Sequence, residues 1–183
     1  YDGNGRTGRI LNILYLVANG LLDVPVLYLS RHIIQNKSDY YRLLQDVRDR
    51  EAWEEWILFI LEGVAATSRQ TIDLIVSIRD MMLEYKHRIR KQFPKIYSQD
   101  LLNNLFRHPY TKIAILQNDL SVSRLTATRY LDHLAAAGYI EKRRYGRVNY
   151  YINTPLVNLF LNLPRSPKPP AFQQIASARS PAQ

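Results

Sequence analysis

The chain contains no cysteine among its 183 residues, so disulfide bonds and thiolate metal sites are excluded. No uninterrupted apolar stretch approaches the roughly 18 residues that a membrane-spanning helix needs, and no signal peptide is visible. The lack of cysteine fits a reducing compartment. We therefore expect a cytoplasmic protein that makes no membrane contact.

Acidic residues are also scarce, since 16 Asp and Glu stand against 25 Lys and Arg, which gives a formal net charge of +9. Such a balance favours polyanionic partners, namely nucleotides, nucleic acid or an acidic protein surface. The hydrophobic fraction of 46% is ordinary for a globular protein. The length suits two modest domains better than one.

The densest chemical signal is the string YDGNGRTGR at residues 1–9. Glycines at positions 3 and 5 favour a turn with φ > 0, whose N–H groups point into one concavity and attract anions. The apolar helical run from Ile10 to Ala18 adds the unpaired N–H groups of a helix start. Arg6 and Arg9 can reach the same side of the first helical turn, and Asp2 could hold a Mg²⁺ ion. The string predicts a polyphosphate site; the alternative is a turn capped by Asp2 with both arginines solvated.

The same string resembles the signature of Fic-domain proteins, His-x-Phe-x-Asp/Glu-Gly-Asn-Gly-Arg-x-x-Arg, from the position after the Phe onward. The resemblance implies an enzyme that transfers AMP from Mg²⁺-ATP to a Ser, Thr or Tyr hydroxyl of a target protein, which could be the chain itself. It further implies that Asp2 holds Mg²⁺, that Asn4 contacts the α-phosphate, and that Arg6 and Arg9 contact the β- and γ-phosphates. Gly3, Asn4 and Gly5 would form the anion cradle.

The motif histidine, which takes the proton of the target hydroxyl in this family, would lie upstream of Tyr1 and is absent from the sequence given. We therefore expect the chain by itself to be nearly inactive. Surface or capping roles suit the four histidines present better than catalysis: His32, His87, His108 and His133. Fic proteins are often inhibited by a glutamate that engages the second motif arginine, here Arg9. No inhibitory motif is recognisable, so it would lie upstream or on a partner.

Hydrophobic periodicity predicts that the Fic-like part is helical. Asn19-Gly20 is expected to end the first helix, and Ser30 and Ser38-Asp39 to cap the next two. The segment Ser38-Asp39-Tyr40-Tyr41 also resembles Fic proteins, in which the second Tyr lines the nucleotide pocket. This places Tyr41 beside the adenosine, with plain helix packing as the alternative. The buried face of the first helix is expected to comprise Ile10, Leu11, Leu14, Val17, Ala18 and Leu21.

A long helix is predicted from Glu51 to about Phe93. Its two apolar stripes are Trp53, Trp56, Ile57, Ile60, Leu61 and Val64, and then Ile72, Ile75, Ile78, Met82, Tyr85 and Ile89. The stripes favour the core of a helical bundle. The alternative is a homodimer seam or a stalk between domains.

The remaining sequence reads as three helices followed by a basic hairpin, and it resembles a winged helix-turn-helix. Ser98-Gln99-Asp100, Thr111 and Ser121-Val122-Ser123 are expected to precede the helices, the last of which runs from Arg124 to Ala137 with Leu125, Tyr130, Leu131 and Leu134 inward. Strands are expected at 139–144 and 147–152. Such modules place their second helix in the DNA major groove. The candidate DNA contacts are Arg124, Thr126, Thr128 and Arg129 on the helix, with Arg143, Arg144 and Arg147 on the hairpin.

The predicted fold is mostly α, with the C-terminal part of a Fic helical bundle at 1–94, a winged helix-turn-helix domain at 95–163, and a flexible Pro-rich tail at 164–183. AMP transfer is the leading interpretation of function. One alternative keeps the fold but transfers phosphate or uses another donor. A second is a DNA-binding transcriptional regulator whose Fic portion is a sensor, and a third is a toxin-type module held in check by a partner.

Overall fold

A computed structural model describes residues 4–162 of the chain. This part is mostly helical, with eight helices and a small three-stranded antiparallel sheet, which confirms the predicted fold class. It divides into two compact units, which hold the described residues 4–73 and 74–162. The Pro-rich tail, Asp2 and Gly3 lie outside the described residues. No helix in the described ranges is both long enough and apolar enough to cross a membrane.

The first unit contains α1 (Asn4–Ala18), α2 (Leu29–Gln35), α3 (Lys37–Arg50) and the beginning of α4 (Trp53–Gln92). The predicted stop after α1 is confirmed, because Gly20 takes the left-handed conformation with φ +67°. The N–H of Gly20 then donates to the carbonyl of Val17, and the N–H of Leu21 to that of Leu16. Glycine suits this position because it has no Cβ to strain the left-handed backbone.

The predicted caps of the next two helices are wrong by one or two residues. Ser30 lies inside α2, whose N-cap is Tyr28. Likewise α3 begins at Lys37 with Asn36 as its N-cap, so Ser38 and Asp39 lie in its first turn. The side chain of Asn36 instead donates to the carbonyl of His32, at 2.9 Å, and so closes the end of α2. One residue therefore joins the two helices, which leaves no room for a separate Ser-Asp cap.

The face of α4 that is buried in the first unit differs from the apolar stripe predicted from the sequence. Phe59, Gly63 and Thr67 are buried at a spacing of four, and they lie on one side of α4. The predicted stripe members Trp53, Ile57 and Leu61 are exposed instead. The predicted buried face of α1 is also wrong, since no residue of α1 is buried and its apolar residues Ile10, Leu11 and Leu14 are more than half exposed. Periodicity locates a stripe, but the neighbouring helices decide which stripe is covered.

The second apolar stripe of α4 changes character along its length. Ile72 and Ile75 are more than half exposed, whereas Tyr85 and Ile89 are buried in the core of the second unit. The bundle-core prediction is therefore correct for the C-terminal half of the stripe. The homodimer seam stays a prediction for the exposed half.

The second unit continues with α5 (Gln99–Arg107), β1 (Tyr110–Thr111), α6 (Ile113–Leu120), α7 (Arg124–Ala136), β2 (Glu141–Tyr145), β3 (Val148–Ile152) and α8 (Thr154–Leu161). The sheet order is β1-β3-β2, and both pairings are antiparallel. Two predicted caps are confirmed: Ser98 Oγ accepts from the N–H of Leu101, and Ser123 Oγ from that of Thr126. Thr111 is not a cap, because it belongs to β1 and Lys112 precedes α6.

Core packing in the second unit confirms most of the predicted apolar positions. Leu131 and Leu134 are fully buried, but Leu125 is 69% exposed because it lies on the outer face of α7. Gly138 ends α7 with φ +78°, and Gly146 turns the β2–β3 hairpin with φ +60°. Strand β1 and helix α8 were not predicted, because each is too short for its periodicity to stand out.

Along the chain, the first compact unit ends at Asp73 and the second begins at Leu74, whereas the sequence analysis placed the domain boundary after residue 94. The difference arises because the last turns of α4 supply Tyr85 and Ile89 to the second core. Burial raises the pKa of the Tyr85 phenol to about 12. A buried tyrosine that keeps its proton is a structural member of the domain rather than part of a linker. The extent of the Fic domain itself stays a prediction.

Candidate functional site

A cleft of about 350 Å³ opens in the first unit, where α1 faces α2, α3 and α4. Its lining divides into a polar and an apolar part. Helix α1 supplies Asn4, Gly5, Gly8, Arg9 and Asn12. The other helices supply Leu29, Ile33, Tyr40, Leu44, Trp56 and Ile60. The first two turns of the predicted motif helix are therefore the polar wall of a concave site.

Gly5 serves this site in a different way from the one predicted. It lies inside α1 with a helical backbone, so the expected left-handed turn does not include it. A Cβ built on Gly5 would lie 3.4 Å from Nη1 of Arg9 and 3.9 Å from the hydroxyl of Tyr40. What glycine provides here is therefore space between the arginine and the tyrosine. The first turn of α1 still presents its unpaired N–H groups, which favour an anion.

The two motif arginines lie differently with respect to the cleft. Arg9 is half-buried and lines it beside Gly5 and Asn12, whereas Arg6 is exposed and does not line it. Because Arg6 precedes Arg9 by three residues on α1, both side chains can still point to the same side of the helix. Arg9 is thus the cation that the structure places inside the cleft, with Arg6 one turn closer to the helix start.

Tyr40, rather than Tyr41, contributes the aromatic ring to the cleft. Its ring lies 5.0 Å from that of Trp56. The ring of Tyr41 is 58% exposed and packs edge-on against Tyr40, at 5.4 Å between ring centroids. Tyr41 therefore contacts the lining residue without lining the cleft itself, and its own contact with a nucleotide stays a prediction.

Sequence reasoning did not identify Asn12, Tyr40 or Trp56 as site residues. Asn12 carried a usable signal, because it is a polar residue within the apolar run that starts at Ile10. Tyr40 and Trp56 carried none, since each reads as an ordinary packing residue of an amphipathic helix. Together the cleft offers cationic and amide donors at one wall and two aromatic rings at the other. This combination suits a ligand that has both an anionic group and a flat ring.

The residues that the structure describes include no cluster of metal-ligating side chains. Within residues 4–162 no group of three or more His, Asp or Glu side chains is placed to hold a metal ion. The predicted ligand Asp2 and the cradle residue Gly3 lie outside this range. Mg²⁺ coordination by Asp2 therefore stays a prediction.

His32 is not a surface histidine, so that expectation is wrong. It is 1% exposed, it packs against Phe59 at 5.1 Å between ring centroids, and it does not line the cleft. Burial lowers the pKa of its imidazole below 6.5. His87, His108 and His133 are exposed. None of the four lines the cleft.

The candidate nucleic-acid residues of α7 lie on different sides of the helix. Thr126 and Arg129 line a second, smaller cleft. The hydroxyl groups of Thr126 and Ser123 form a hydrogen bond of 2.9 Å. The Thr128 hydroxyl donates to the carbonyl of Arg124 at 2.8 Å. Both threonine hydroxyls therefore bond within α7 or to its N-cap. Of the four candidates on α7, the two cations are Arg124 and Arg129, and both are exposed.

The β2–β3 hairpin carries the other predicted cations on an exposed surface. Every residue of β2 is exposed. Arg143 pairs with Glu141 at 2.6 Å, and the Nε of Arg144 donates to the carbonyl of Gly146 at 3.1 Å. Arg147 lies in the turn, next to Gly146. The hairpin therefore presents basic residues to solvent, and of the three predicted arginines Arg143 is paired with a carboxylate.

Residues 81–156 match the family model described as the C-terminal domain of SoFic-like protein adenylyltransferase. The match lies within the second unit and covers less than half of the chain. It starts inside α4, four residues before Tyr85, and so includes the part of α4 that packs into the second core. The motif at the start of the chain was the basis of the earlier resemblance, and this second, separate region now supports the same family.

Proposed function

We propose that this chain, whose match supports membership of the Fic family, is part of a protein adenylyltransferase that uses ATP as its AMP donor. The observation that carries the proposal is the cleft in which Asn4, Gly5 and Arg9 face Tyr40 and Trp56. The three motif residues were assigned to phosphate binding from the sequence, and they share one wall. The opposite wall supplies rings against which an adenine can pack.

In the proposed reaction, a Ser, Thr or Tyr hydroxyl of a target protein attacks the α-phosphorus of ATP. A bond forms between that oxygen and phosphorus, and the bond to the β-phosphate oxygen breaks, so pyrophosphate leaves. Arg9 holds phosphate charge inside the cleft, and Arg6 reaches it from the exposed side of α1. The N–H groups at the start of α1 stabilise the same negative charge. These groups act by positioning and electrostatics, as in other phosphoryl-type transfers.

The proton of the target hydroxyl is assigned to the motif histidine upstream of Tyr1. Loss of a general base typically slows a reaction by about 100- to 10,000-fold. Mg²⁺ held by Asp2 would neutralise phosphate charge. We therefore propose that residues 1–183 bind ATP but transfer AMP only slowly, and that upstream residues are needed for full activity.

Nucleotide binding to residues 1–183 tests the site without requiring turnover. Titration with Mg²⁺-ATP, followed by calorimetry, should give saturable binding that Arg9→Ala weakens by about 10- to 100-fold, since a hydrogen bond to a charged group is lost. Arg48→Ala is the matched control, because Arg48 is an exposed arginine of the same unit that does not line the cleft. Equal effects of the two substitutions would refute the assignment.

A second proposal is that the C-terminal unit binds DNA, which would make the chain a regulator with a nucleotide sensor. The observation that favours it is the exposure of four basic side chains in this unit, Arg124 and Arg129 on α7 and Arg144 and Arg147 on the hairpin. A gel-shift titration with mixed duplex DNA tests it. Arg144→Ala combined with Arg147→Ala should lower the affinity and flatten its salt dependence, because fewer phosphate contacts release fewer counterions.

A further inference from the structure

The second cleft lies within the C-terminal unit and has a volume of about 280 Å³. It is lined by Lys95, Ile96, Thr126, Arg129, Tyr130 and His133. Four of these residues come from α7 at positions i, i+3, i+4 and i+7, so they form one face of that helix over two turns. Such a spacing usually marks an apolar face that packs on a neighbour. Here every one of the four carries a hydrogen-bonding group.

The charged groups that line this cleft are all positive. It includes an ammonium group, a guanidinium group, an imidazole, a phenol and a threonine hydroxyl, and it includes no carboxylate. Among the described residues, neither Lys95 nor Arg129 has a carboxylate within ion-pair distance. Other cations of the same unit do have one, since Lys142 pairs with Asp132 at 2.8 Å and Arg107 with Asp119 at 3.8 Å. Two cations facing one cavity without a counter-charge favour an anion there.

The cleft is shaped by packed residues rather than by mobile side chains alone. The ring of His133 lies near that of Phe93, at 6.1 Å between ring centroids. Tyr130 and Ile96 pack against the buried core of the unit. The volume is slightly below the roughly 300–1,000 Å³ of pockets that enclose a whole drug-sized ligand. It therefore has room for a compact anionic group.

We propose that this cleft binds a phosphate group, with Arg129 and Lys95 supplying the charge and Tyr130 and His133 further polar contacts. Two sources share this chemistry. One is a backbone phosphate of duplex DNA beside α7, on the flank opposite Thr128, and the other is a free phosphate such as inorganic phosphate. The inference concerns the C-terminal unit alone and does not depend on AMP transfer in the first unit.

The first arm of the test uses inorganic phosphate and the whole chain. Backbone amide shifts are followed by ¹⁵N NMR while phosphate replaces chloride at constant ionic strength. Saturable shifts confined to residues 95–96 and 126–133 are expected, and Arg129→Ala should weaken the binding by about 10- to 100-fold. Lys91→Ala is the matched control, because it removes the same charge as Lys95→Ala four residues away and outside the cleft.

The second arm uses a labelled DNA duplex and fluorescence anisotropy over a range of salt concentrations. Arg129→Ala should reduce the salt slope by about 1 if the cleft takes a backbone phosphate. If Arg129→Ala weakens only DNA binding, the phosphate comes from DNA. If it weakens only the binding of inorganic phosphate, the ligand is free phosphate. If Arg129→Ala and Lys95→Ala behave like Lys91→Ala in both arms, the proposal is wrong. If the hairpin variants then still lose DNA affinity, DNA binding stands without this cleft.

Discussion

The imidazole of His32 lies against the position where Gly63 has no side chain. A Cβ on Gly63 would come within 2.8 Å of His32 Cδ2 and 3.0 Å of Leu29 Cδ1. Real Cβ atoms do not approach other atoms so closely, so α2 and α4 pack at this distance only because residue 63 is glycine. The contact therefore fixes α2, which carries Leu29 and Ile33 into the wall of the first cleft.

Gly63→Ala should destabilise the first unit although alanine favours a helix. The helical gain is at most about 1 kcal/mol, whereas overpacking of a close contact costs about 1–3 kcal/mol. We expect a net loss of up to about 2 kcal/mol in urea unfolding. Gly8→Ala is the control, because a Cβ there meets nothing within 4 Å and should be neutral or stabilising. Equal stability of the two variants would show that α2 and α4 are not in close contact at Gly63.

Burial of His32 predicts a pH dependence of stability. Within the described residues neither ring nitrogen has a hydrogen-bond partner, and burial lowers the imidazole pKa below 6.5. The unfolded chain therefore binds the proton more readily than the folded chain. The contribution of neutral His32 to the free energy of unfolding is complete above pH 6.5. It is lost as the pH falls from 6.5 through the lowered pKa of His32 in the folded chain.

Urea unfolding at a series of pH values from 8 to 5 measures this effect. The free energy of unfolding of the natural chain should fall below pH 6.5. His32→Leu replaces the ring by an apolar group that does not titrate, so its profile over the same range should be flatter. Parallel profiles for the two chains would mean that other groups cause the pH dependence.

Asn153 should be among the least replaceable residues of the second unit. It is 1% exposed, its Oδ1 accepts from the N–H of Leu156 at 3.1 Å, and its Nδ2 donates to the carbonyl of Leu105 at 3.2 Å. Asn153→Ala removes a helix cap and leaves a buried carbonyl unpaired, which together cost about 2–4 kcal/mol. Thermal unfolding measures the loss. Asn158→Ala, on the exposed side of α8, should change stability by less than about 0.5 kcal/mol.

Substitution of Gly5 by alanine should affect helix stability and nucleotide binding in opposite directions. Gly5→Ala should strengthen α1 by up to about 1 kcal/mol. Its Cβ would nevertheless contact Arg9 Nη1 at 3.4 Å, and we expect a methyl group beside that guanidinium to weaken Mg²⁺-ATP binding. A Gly5→Ala variant that binds ATP as tightly as the natural chain would contradict the role given to the space beside Arg9.

Local features of the fold were predictable from the sequence, and the packing of faces was not. Ser98, Ser123 and Gly20 mark helix ends through interactions with their own neighbours, so the sequence identifies them. Leu125 looked like a core residue, yet it is exposed, because the period of a helix does not say which stripe meets a neighbour.

The candidate site shows the same division. Asn4, Gly5 and Arg9 were found because they belong to a contiguous motif, and the structure brings all three to one cleft. Trp56 reaches the same cleft from α4, more than 40 residues away in the chain, through packing that no local pattern encodes. The choice between Tyr40 and Tyr41 depended on the rotation of α3, which is set by its contacts with α4.

The most direct test of AMP transfer uses the chain extended upstream to include the motif histidine. It is incubated with Mg²⁺ and ATP labelled at either the α- or the γ-phosphate, in lysate and as pure protein, with Arg6→Ala and Arg9→Ala as controls. Our account predicts protein labelled from the α-phosphate alone, with the label lost in both variants. Label from the γ-phosphate alone would contradict AMP transfer and identify a phosphotransferase. No label from either position would favour the DNA-binding regulator.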